Sequence, residues 1–395
     1  MSVYVNTKSA AYSAEVYRLG WYGGAGASLK SQLGPLPGAV QAAPAVDSIT
    51  GAASCSWNRS FSIDTTGFVT GIYLVKLTTV EGHQQYVHFI VRDDSRTAPI
   101  LFLSSSSTMQ AYNPWGGKSL YTFNSTNSIA ATAVSYDRPY APDYASQGAG
   151  NILAWDIKVL HFLERQGLDV CYSDILDLHN AAPNGCKCVL ISGHSEYWSK
   201  QARSNLESAA SQGVNVLALA GNVCYCQVTF NAGVMTCNKT GTDPNTGFFQ
   251  KLDPEEPFFG QTFAGWQNQH LPTDFVLAAG IPSWMLQGTQ LAAGSRLPGM
   301  FGYEGDHTTP RSPPSAVVWG NSPFFDYGQP RYGMATYHSA TDPVTGRTYQ
   351  VLNVGSMNWA YGLDSAGFNM TNPPTSYENA DAKQMTLNFI NRFTA

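Results

Sequence analysis

The sequence has few charged residues. Asp, Glu, Lys and Arg make up 12% of the 395 residues, about half of the roughly one quarter that is usual. No block of basic residues occurs, and the formal net charge is -5, which excludes a nucleic-acid partner because such binding depends on clustered Lys and Arg. No apolar run approaches the roughly 18 residues that span a bilayer, so we expect no membrane association.

Nothing near the N-terminus has the charged and apolar regions of a signal peptide. Uncharged residues, including 37 Gly, 22 Pro and 21 Tyr, take the place of the missing charges. Such a loop-rich, uncharged surface is typical of exported enzymes. The composition therefore favours a soluble protein in an exported or periplasmic location.

Seven cysteines are present, an odd number that leaves at least one unpaired. Cys186 and Cys188 are separated by one residue, whereas structural zinc sites favour two to four. Cys224 and Cys226 have the same short spacing. Buried thiols, or a disulfide that involves Cys224, Cys226 or Cys237, are therefore favoured over zinc.

The first part of the chain reads as all-β. The stretches "GIYLVKLTT" and "QQYVHFIV" are β-rich and flank a short link that contains Gly82, as in a hairpin. The length and the strand spacing predict an immunoglobulin-like β-sandwich over residues 1–93. The charged segment 92–96 marks the domain boundary.

Residues 97–395 change to alternating strands and helices. The runs "APILFLS", "LDVCYS", "KCVLIS" and "NVLALAG" are typical of buried strands. Helical patterns lie between them, one beginning after Ser199 and running to about Gln212. Such alternation predicts a parallel, doubly wound sheet, closed by the strand "YQVLNVG" and a last helix. Residues from about 228 to 345 carry short β-like runs and predict a β-rich insertion.

Polar side chains follow the predicted strands. His194 and Glu196 come directly after the third strand, in "GHSEYWS", and Asn222 and Asn358 follow the fourth and the last. In an open parallel sheet, ligands bind beyond the carboxyl ends of the strands. This edge is therefore the predicted site, although Glu196 also suits a structural role at a helix N-terminus.

A long stretch without periodicity follows the first buried strand, from about residue 104 to 151. Such a run inside a compact domain is usually functional or disordered, and its many Tyr and Trp residues argue against disorder. We therefore expect Tyr112, Asn113, Arg138 and Tyr140 to fold over the sheet edge near Glu196.

Five motifs, in this order, resemble the C-terminal region of the large subunit of N,N-dimethylformamidase: "MQAYNPWGGKSLY", "VSYDRPY", "ISGHSEYWS", "ALAGNVCY" and "VGSMNWAYGLD". The resemblance implies an immunoglobulin-like sandwich followed by a glutamine-amidotransferase-like α/β domain. It also implies a mononuclear iron held by two tyrosines and one glutamate. Tyr112 and Glu196 match this set, and Tyr140 is preferred to Tyr136 as the second tyrosine.

The implied chemistry is hydrolysis of the carbon–nitrogen bond of a small amide. Two phenolates and a carboxylate are hard donors that suit a ferric ion, which acts as a Lewis acid and activates water. His194 or Asp137 is the expected proton carrier, and Asn113 or Arg138 the expected oxyanion stabiliser.

The chain is much shorter than the formamidase large subunit, and the sequence shows no sign of a small partner subunit. A homo-oligomer is compatible with it. Two other functions stay open: a noncatalytic exported ligand-binding protein, and a metal-independent glycan hydrolase that pairs Glu196 with Asp137 or Asp156. A cysteine amidotransferase is disfavoured, because the turn that would carry its nucleophile reads Gly193-His194-Ser195-Glu196.

Overall fold

The computed structural model describes residues 1–142, 148–267, 271–369 and 376–395 and shows a mixed α/β protein. The N-terminal strands are β1 (Ser2–Val3), β2 (Ala11–Leu19), β3 (Ala27–Pro37), β4 (Ala45–Val46), β5 (Ala53–Ser54), β6 (Phe61–Ser62), β7 (Gly71–Thr79) and β8 (Gln84–Val91). Four of them form an antiparallel sheet in the order β3-β2-β7-β8, and β1 pairs with β6 and β4 with β5. The predicted hairpin is confirmed as β7 and β8.

Strand β7, an inner strand of this sheet, buries side chains on both of its faces. Tyr73 and Val75 of β7 point into a small core of the N-terminal strands. Ile72 and Leu74 point the other way because side chains alternate along a strand, and they join the central core together with Phe102. One face of the sheet therefore contributes to the central core and the other to a separate core of the N-terminal strands, while the immunoglobulin-like fold of residues 1–93 stays a prediction.

The central part of the chain alternates strands and helices as expected. Its elements are β9 (Ile100–Ser104), α1 (Ser106–Tyr112), β10 (Ala133–Ser135), α2 (Asp156–Arg165), β11 (Val170–Asp174), α3 (Ile175–Asn180), β12 (Cys188–His194), β13 (Tyr197–Ser199), α4 (Lys200–Ser211) and β14 (Asn215–Gly221). The predicted cap of α4 is confirmed, because Ser199 Oγ accepts the backbone N–H of Ala202 at 3.0 Å.

The remaining elements are β15 (Cys226–Asn231), β16 (Val234–Thr236), β17 (Gly247–Phe248), α5 (Phe249–Leu252), α6 (Glu256–Phe259), β18 (Thr262–Trp266), β19 (Thr273–Val276), β20 (Arg296–Phe301), β21 (Glu304–His307), β22 (Val317–Asp326), β23 (Gln329–Thr341), β24 (Thr348–Asn353) and α7 (Ala380–Thr394). The region from 228 to 345 is thus β-rich, as predicted.

The main sheet has seven strands in the order β11-β9-β12-β14-β24-β23-β22. The first five are parallel. The last two are antiparallel and belong to the region predicted as an insertion, so that region extends the main sheet instead of standing apart from it. The alternating sequence pattern of a strand such as β22 or β23 does not indicate which neighbouring strand it pairs with.

Alternate residues of the parallel strands face opposite sides of the sheet. Leu190 and Leu217 pack on one side with apolar residues of α2 and α7. Val189 and Val216 pack on the other side with those of α3 and α4. Both faces are covered, as the near-continuous apolar runs predicted, while the comparison with the glutamine-amidotransferase fold stays a prediction.

All seven cysteines are free thiols. Five of them are buried, including Cys224, Cys226 and Cys237, for which buried thiols were expected, and the alternative disulfide is not formed. Within the described ranges, no helix is both long and apolar enough to cross a bilayer.

Candidate active site

Glu196 lies just beyond the carboxyl end of β12, at the predicted edge of the sheet. Its side chain is buried, and its backbone N–H donates to Thr108 Oγ1 of α1 at 3.0 Å. The turn before it depends on Gly193, which has a φ of 62° and where an added Cβ would lie 2.6 Å from Cβ of Trp155. The backbone conformation and the close approach both require glycine there.

Two phenol groups meet at the Glu196 carboxylate. The hydroxyl of Tyr112, the last residue of α1, donates to Oε2 at 2.8 Å. The hydroxyl of Tyr121 lies 2.9 Å from the same oxygen and 3.1 Å from Oε1. The two rings stack with centroids 4.2 Å apart, and Tyr197 donates to the Tyr121 hydroxyl at 2.7 Å.

His194 and Glu304 complete the cluster on the other side of Glu196. His194 Nε2 lies 3.0 Å from Glu304 Oε2 and 3.4 Å from Glu196 Oε2. Both contacts become ion pairs when the imidazole is protonated. Burial by itself lowers the pKa of His194, but the two carboxylates outweigh it and raise that pKa, so the imidazole holds a proton readily.

Asn222 and Asp306 hold Glu304 in place. Asn222 follows β14 and donates from Nδ2 to Glu304 Oε2 at 2.8 Å. Its own backbone N–H donates to Asp306 Oδ1 at 2.9 Å. Because Asp306 and Glu304 belong to one short strand, β21, this strand is fixed against the end of β14.

Two further groups contact the carboxylate and its phenols. The Cys226 thiol donates to Glu196 Oε1 at 3.2 Å, and the Lys239 ammonium lies 3.6 Å from the centroid of the Tyr121 ring. Burial opposes the charge of Glu196, but the contact with His194 and the charge of Lys239 lower its pKa. Burial and the Glu196 charge raise the pKa values of Tyr112 and Tyr121.

The donor set fits a hard metal ion. Three oxygen-bearing side chains, Tyr112, Tyr121 and Glu196, converge within hydrogen-bonding distance, and such donors suit ions of the ferric type. His194, Glu196 and Glu304 also bring ligand atoms within 4.8 Å of one another. A cation bound here would offset the free-energy cost of burying the charged carboxylates and would favour the ionised form of the phenols.

Tyr140 does not lie beside Glu196, which corrects the expected position. Its ring stacks on His88 of β8 with centroids 5.1 Å apart, and its carbonyl accepts from Gln85 Nε2 at 2.9 Å. Tyr136 packs near Phe230. Both tyrosines line a cavity of about 850 Å³ between the N-terminal strands and the following loop. Of the two preferred phenols, Tyr112 therefore reaches the site and Tyr140 does not.

Asn113 and Arg138 hold the loop together instead of facing Glu196. Asn113 Oδ1 accepts the backbone N–H groups of Trp115 and Ala141. The Arg138 guanidinium donates to three backbone carbonyls, those of Gln110, Trp115 and Lys118. These bonds use most of its donors, so the expected oxyanion role does not match its position.

The two other acids considered in the sequence also lie elsewhere. Asp137 is exposed and lines the same cavity as Tyr140. Asp156 is buried and accepts from Ser104 Oγ at 2.9 Å. No hydrogen bond within the described ranges joins either acid to Glu196, so of the two residues expected to carry the proton, only His194 lies beside Glu196.

Sequence reasoning missed Tyr121 and Glu304. Tyr121 lies nine residues after Tyr112, in the aromatic-rich stretch from about residue 104 to 151 that was predicted to be functional. Its residue type and its position therefore could have identified it as a candidate site residue. Glu304 lies in the region taken for an insertion, in "GYEGDH", where nothing periodic marks it.

Comparison with known protein families gives a match over most of the chain. The model of the family described as N,N-dimethylformamidase beta subunit-like, C-terminal, covers residues 13–376. No curated protein matches the chain.

Proposed function

The chain belongs to the N,N-dimethylformamidase beta subunit-like, C-terminal family, and on this premise we propose that it is an iron-dependent hydrolase of the carbon–nitrogen bond in a small amide. The observation that carries the proposal is the convergence of the Tyr112 and Tyr121 hydroxyls on the Glu196 carboxylate, directly beside the His194–Glu304 pair. Family membership supports the hydrolase class, and the donor set supports the metal.

Tyr112, Tyr121 and Glu196 would hold the ion. Two ionised phenols and a carboxylate carry three negative charges, which match a trivalent ion and suit softer metals poorly. A bound ferric ion would polarise the amide carbonyl and lower the pKa of the attacking water. Tyr121 replaces Tyr140 in the proposed set because Tyr140 lies against His88.

His194 and Glu304 would carry out the proton transfer that hydrolysis requires. Hydrolysis breaks the carbon–nitrogen bond, forms a carbon–oxygen bond with water and transfers a proton to the leaving nitrogen. Nε2 of His194 is 3.0 Å from Glu304 Oε2, so the pair can pass a proton between water and that nitrogen. Asn222 fixes the orientation of Glu304 through its 2.8 Å bond.

The family description refers to a beta subunit, and we propose that the chain assembles with further copies of itself. Phe325, Tyr327 and Tyr332 lie at and near the turn between β22 and β23, with 61%, 85% and 57% of their surface exposed. Contiguous exposed apolar surface commonly marks a contact site. Light scattering tests this, and a chain that stays monomeric at micromolar concentration would contradict it.

The hydrolase proposal is tested by release of amine or ammonia from a set of small amides after reconstitution with iron. We expect turnover by the reconstituted protein and the loss of both metal and turnover in Glu196→Gln. Glu81→Gln, in the exposed link between β7 and β8, is the matched control and should behave as the wild type. Turnover that survives complete removal of metal would overturn the iron dependence.

A further inference from the structure

Strands β13 and β15 place two further hydrogen-bond donors behind the proposed metal-holding oxygens. The hydroxyl of Tyr197 on β13 donates to the Tyr121 hydroxyl at 2.7 Å. The thiol of Cys226 on β15 donates to Glu196 Oε1 at 3.2 Å. Tyr197 and Cys226 are register partners in the parallel pair that the two strands form. Two neighbouring strand positions therefore each supply a donor to a different member of the proposed ligand set.

Both donors are held by rigid parts of the fold. Tyr197 and Cys226 are each 0% exposed. The backbone N–H of Tyr197 donates to Thr108 Oγ1 at 3.2 Å, and its carbonyl accepts from Ser107 Oγ at 2.6 Å, so β13 is tied to α1. The backbone N–H of Cys226 donates to the Glu196 carbonyl at 2.9 Å. The backbone thus fixes where each donor lies relative to the oxygen that it contacts.

Neither donor competes with a metal ion for the ligand oxygens. A phenol that binds a metal gives up its own proton, and its oxygen still has lone pairs that accept from a neighbour. Within the part of the chain that the structure describes, the Tyr197 hydroxyl donates to Tyr121 and not to the Glu196 carboxylate. Oε2 of Glu196 is the oxygen that both Tyr112 and Tyr121 approach most closely, whereas Cys226 contacts Oε1. The shared oxygen therefore stays available to the ion.

We infer that Tyr197 and Cys226 are positioning residues, which hold the Tyr121 phenol and the Glu196 carboxylate in the arrangement that binds a ferric ion. The inference rests on the proposed function and adds the groups that support its metal centre. Residues that hydrogen-bond to metal ligands orient them and tune the metal, and their loss typically weakens metal binding about 10- to 100-fold.

Tyr197→Phe tests the first donor, because it removes the hydroxyl and keeps the buried ring. That ring packs edge-on against the Tyr121 ring, with centroids 6.4 Å apart. We expect ferric binding to weaken at least about tenfold. A hydrogen bond to a phenolate stabilises its charge, so the loss of that bond should also move the phenolate-to-metal absorption band to longer wavelength. The shift in the band is a result that a purely structural role of Tyr197 would not produce.

Two substitutions of Cys226 separate its hydrogen bond from its packing. Cys226 belongs to an apolar cluster that includes Val228 and Met235. Cys226→Ala removes the donor and should weaken ferric binding about tenfold. Cys226→Ser keeps an O–H donor at the same place and should recover most of the lost affinity. Equal affinities of the Ala and Ser variants would show that the thiol acts through packing alone.

Tyr73→Phe and Cys188→Ala are the matched controls. Both residues are buried. The Tyr73 hydroxyl donates to the Val69 carbonyl at 2.8 Å, and Cys188 begins β12, at the end of the strand opposite to Glu196. Both variants should bind ferric ion as the wild type does and leave the absorption band unshifted, because neither residue contacts a proposed ligand.

The experiment is a ferric titration of the metal-free full chain, in which absorption reports the affinity and the position of the band. Wild-type affinity and an unshifted band in both Tyr197→Phe and Cys226→Ala would overturn the inference. A complete loss of the band in Tyr197→Phe would show that Tyr197 is itself a ligand, which also overturns its positioning role. Melting temperatures of the metal-free variants show that each is folded.

Metal binding and turnover are measured separately, so failure of the inference differs from failure of the proposed function. Weaker binding and a shifted band in the variants support the inference even when no amide is hydrolysed, and in that case the hydrolase proposal alone fails. Unchanged metal binding in the variants, beside an active wild type, overturns the inference alone. A wild-type chain that binds no ferric ion overturns both.

Discussion

The Tyr121 hydroxyl lies 2.9 Å from Oε2 of Glu196, across 75 residues of sequence. The same carboxylate oxygen accepts the Tyr112 hydroxyl. Three oxygen donors are thus brought together by a helix end, a loop and the turn after a buried strand. The proposed metal centre and its chemistry depend on this arrangement.

Replacing His194 or Glu304 should separate metal binding from catalysis. Neither residue is among the proposed metal-holding groups, so His194→Gln and Glu304→Gln should keep the metal and lose at least about 100-fold in kcat, because proton transfer is lost. Glu196→Gln provides the contrast, since it should lose metal and turnover together. Metal analysis and amine release are measured on the same samples. Loss of metal in Glu304→Gln would show that Glu304 is itself a ligand.

Lys239 should stabilise the ionised form of the Tyr121 phenol. Its ammonium lies 3.6 Å from the centroid of the Tyr121 ring and would stabilise an ionised phenol there. In Lys239→Met we expect about fivefold weaker metal binding and a phenolate-to-metal absorption band at longer wavelength, because the phenolate donor orbital rises in energy. Lys251→Met is the control, because Lys251 lies over the Phe248 ring, 5.6 Å from its centroid. An unshifted band in Lys239→Met would contradict this role.

Asp156 should make the protein less stable as the pH rises. Burial raises its pKa to about 7, whereas an unfolded Asp has a pKa of about 3.9. Between these values the folded protein keeps a proton that the unfolded chain releases, so stability falls with increasing pH. Asp156→Asn removes this effect.

Melting temperatures at pH 5 and pH 8 check this. The melting temperature of Asp156→Asn minus that of the wild type should be higher at pH 8 than at pH 5 by about 2 °C or more. Asn keeps an oxygen that can accept from Ser104, so the hydrogen bond to that residue is retained. A difference between the two proteins that is the same at both pH values would show that Asp156 does not titrate in this range.

Glu164 should stabilise the contact between α2 and the N-terminal strands. It lies 2.8 Å from the Arg18 guanidinium of β2 and accepts the backbone N–H of Trp21 at 3.1 Å. Glu164→Ala leaves a largely buried guanidinium unpaired, which should lower the free energy of unfolding by about 3 kcal/mol. Denaturant titration measures this.

The partly exposed Glu378, which pairs with Lys383, gives the control. Glu378→Ala should change the free energy of unfolding by less than about 1 kcal/mol. Equal effects of the two substitutions would mean that the contact between α2 and β2 contributes no more to the free energy of unfolding than an ordinary surface ion pair.

The strands that carry the site were predictable from sequence. A strand buried on both faces needs a continuous apolar run, which is why "KCVLIS" and "NVLALAG" mark β12 and β14. Ser199 predicted the start of α4 because a hydroxyl there satisfies a free backbone N–H. His194 and Glu196 followed from their position at the carboxyl edge of the sheet.

Glu304 reaches the site through tertiary contacts that no local pattern encodes. Tyr112 and Glu304 are 192 residues apart, and Glu304 arrives on a short strand without a clear period. Tyr140 has the residue type and the approximate position expected of a ligand, but the Arg138 and Asn113 hydrogen bonds shape the loop so that Tyr140 packs on His88. The resemblance to a family suggested the chemistry, and the fold brings Tyr121 instead of Tyr140 to the Glu196 carboxylate.

Metal content and the visible spectrum of the purified protein test the central claim most directly, measured beside Tyr121→Phe and Tyr140→Phe. We predict about one iron per chain after ferric reconstitution and a phenolate charge-transfer band that fades in Tyr121→Phe and persists in Tyr140→Phe. A band that persists in Tyr121→Phe and fades in Tyr140→Phe would contradict the assigned site. A protein that takes up no iron would contradict the metal centre itself.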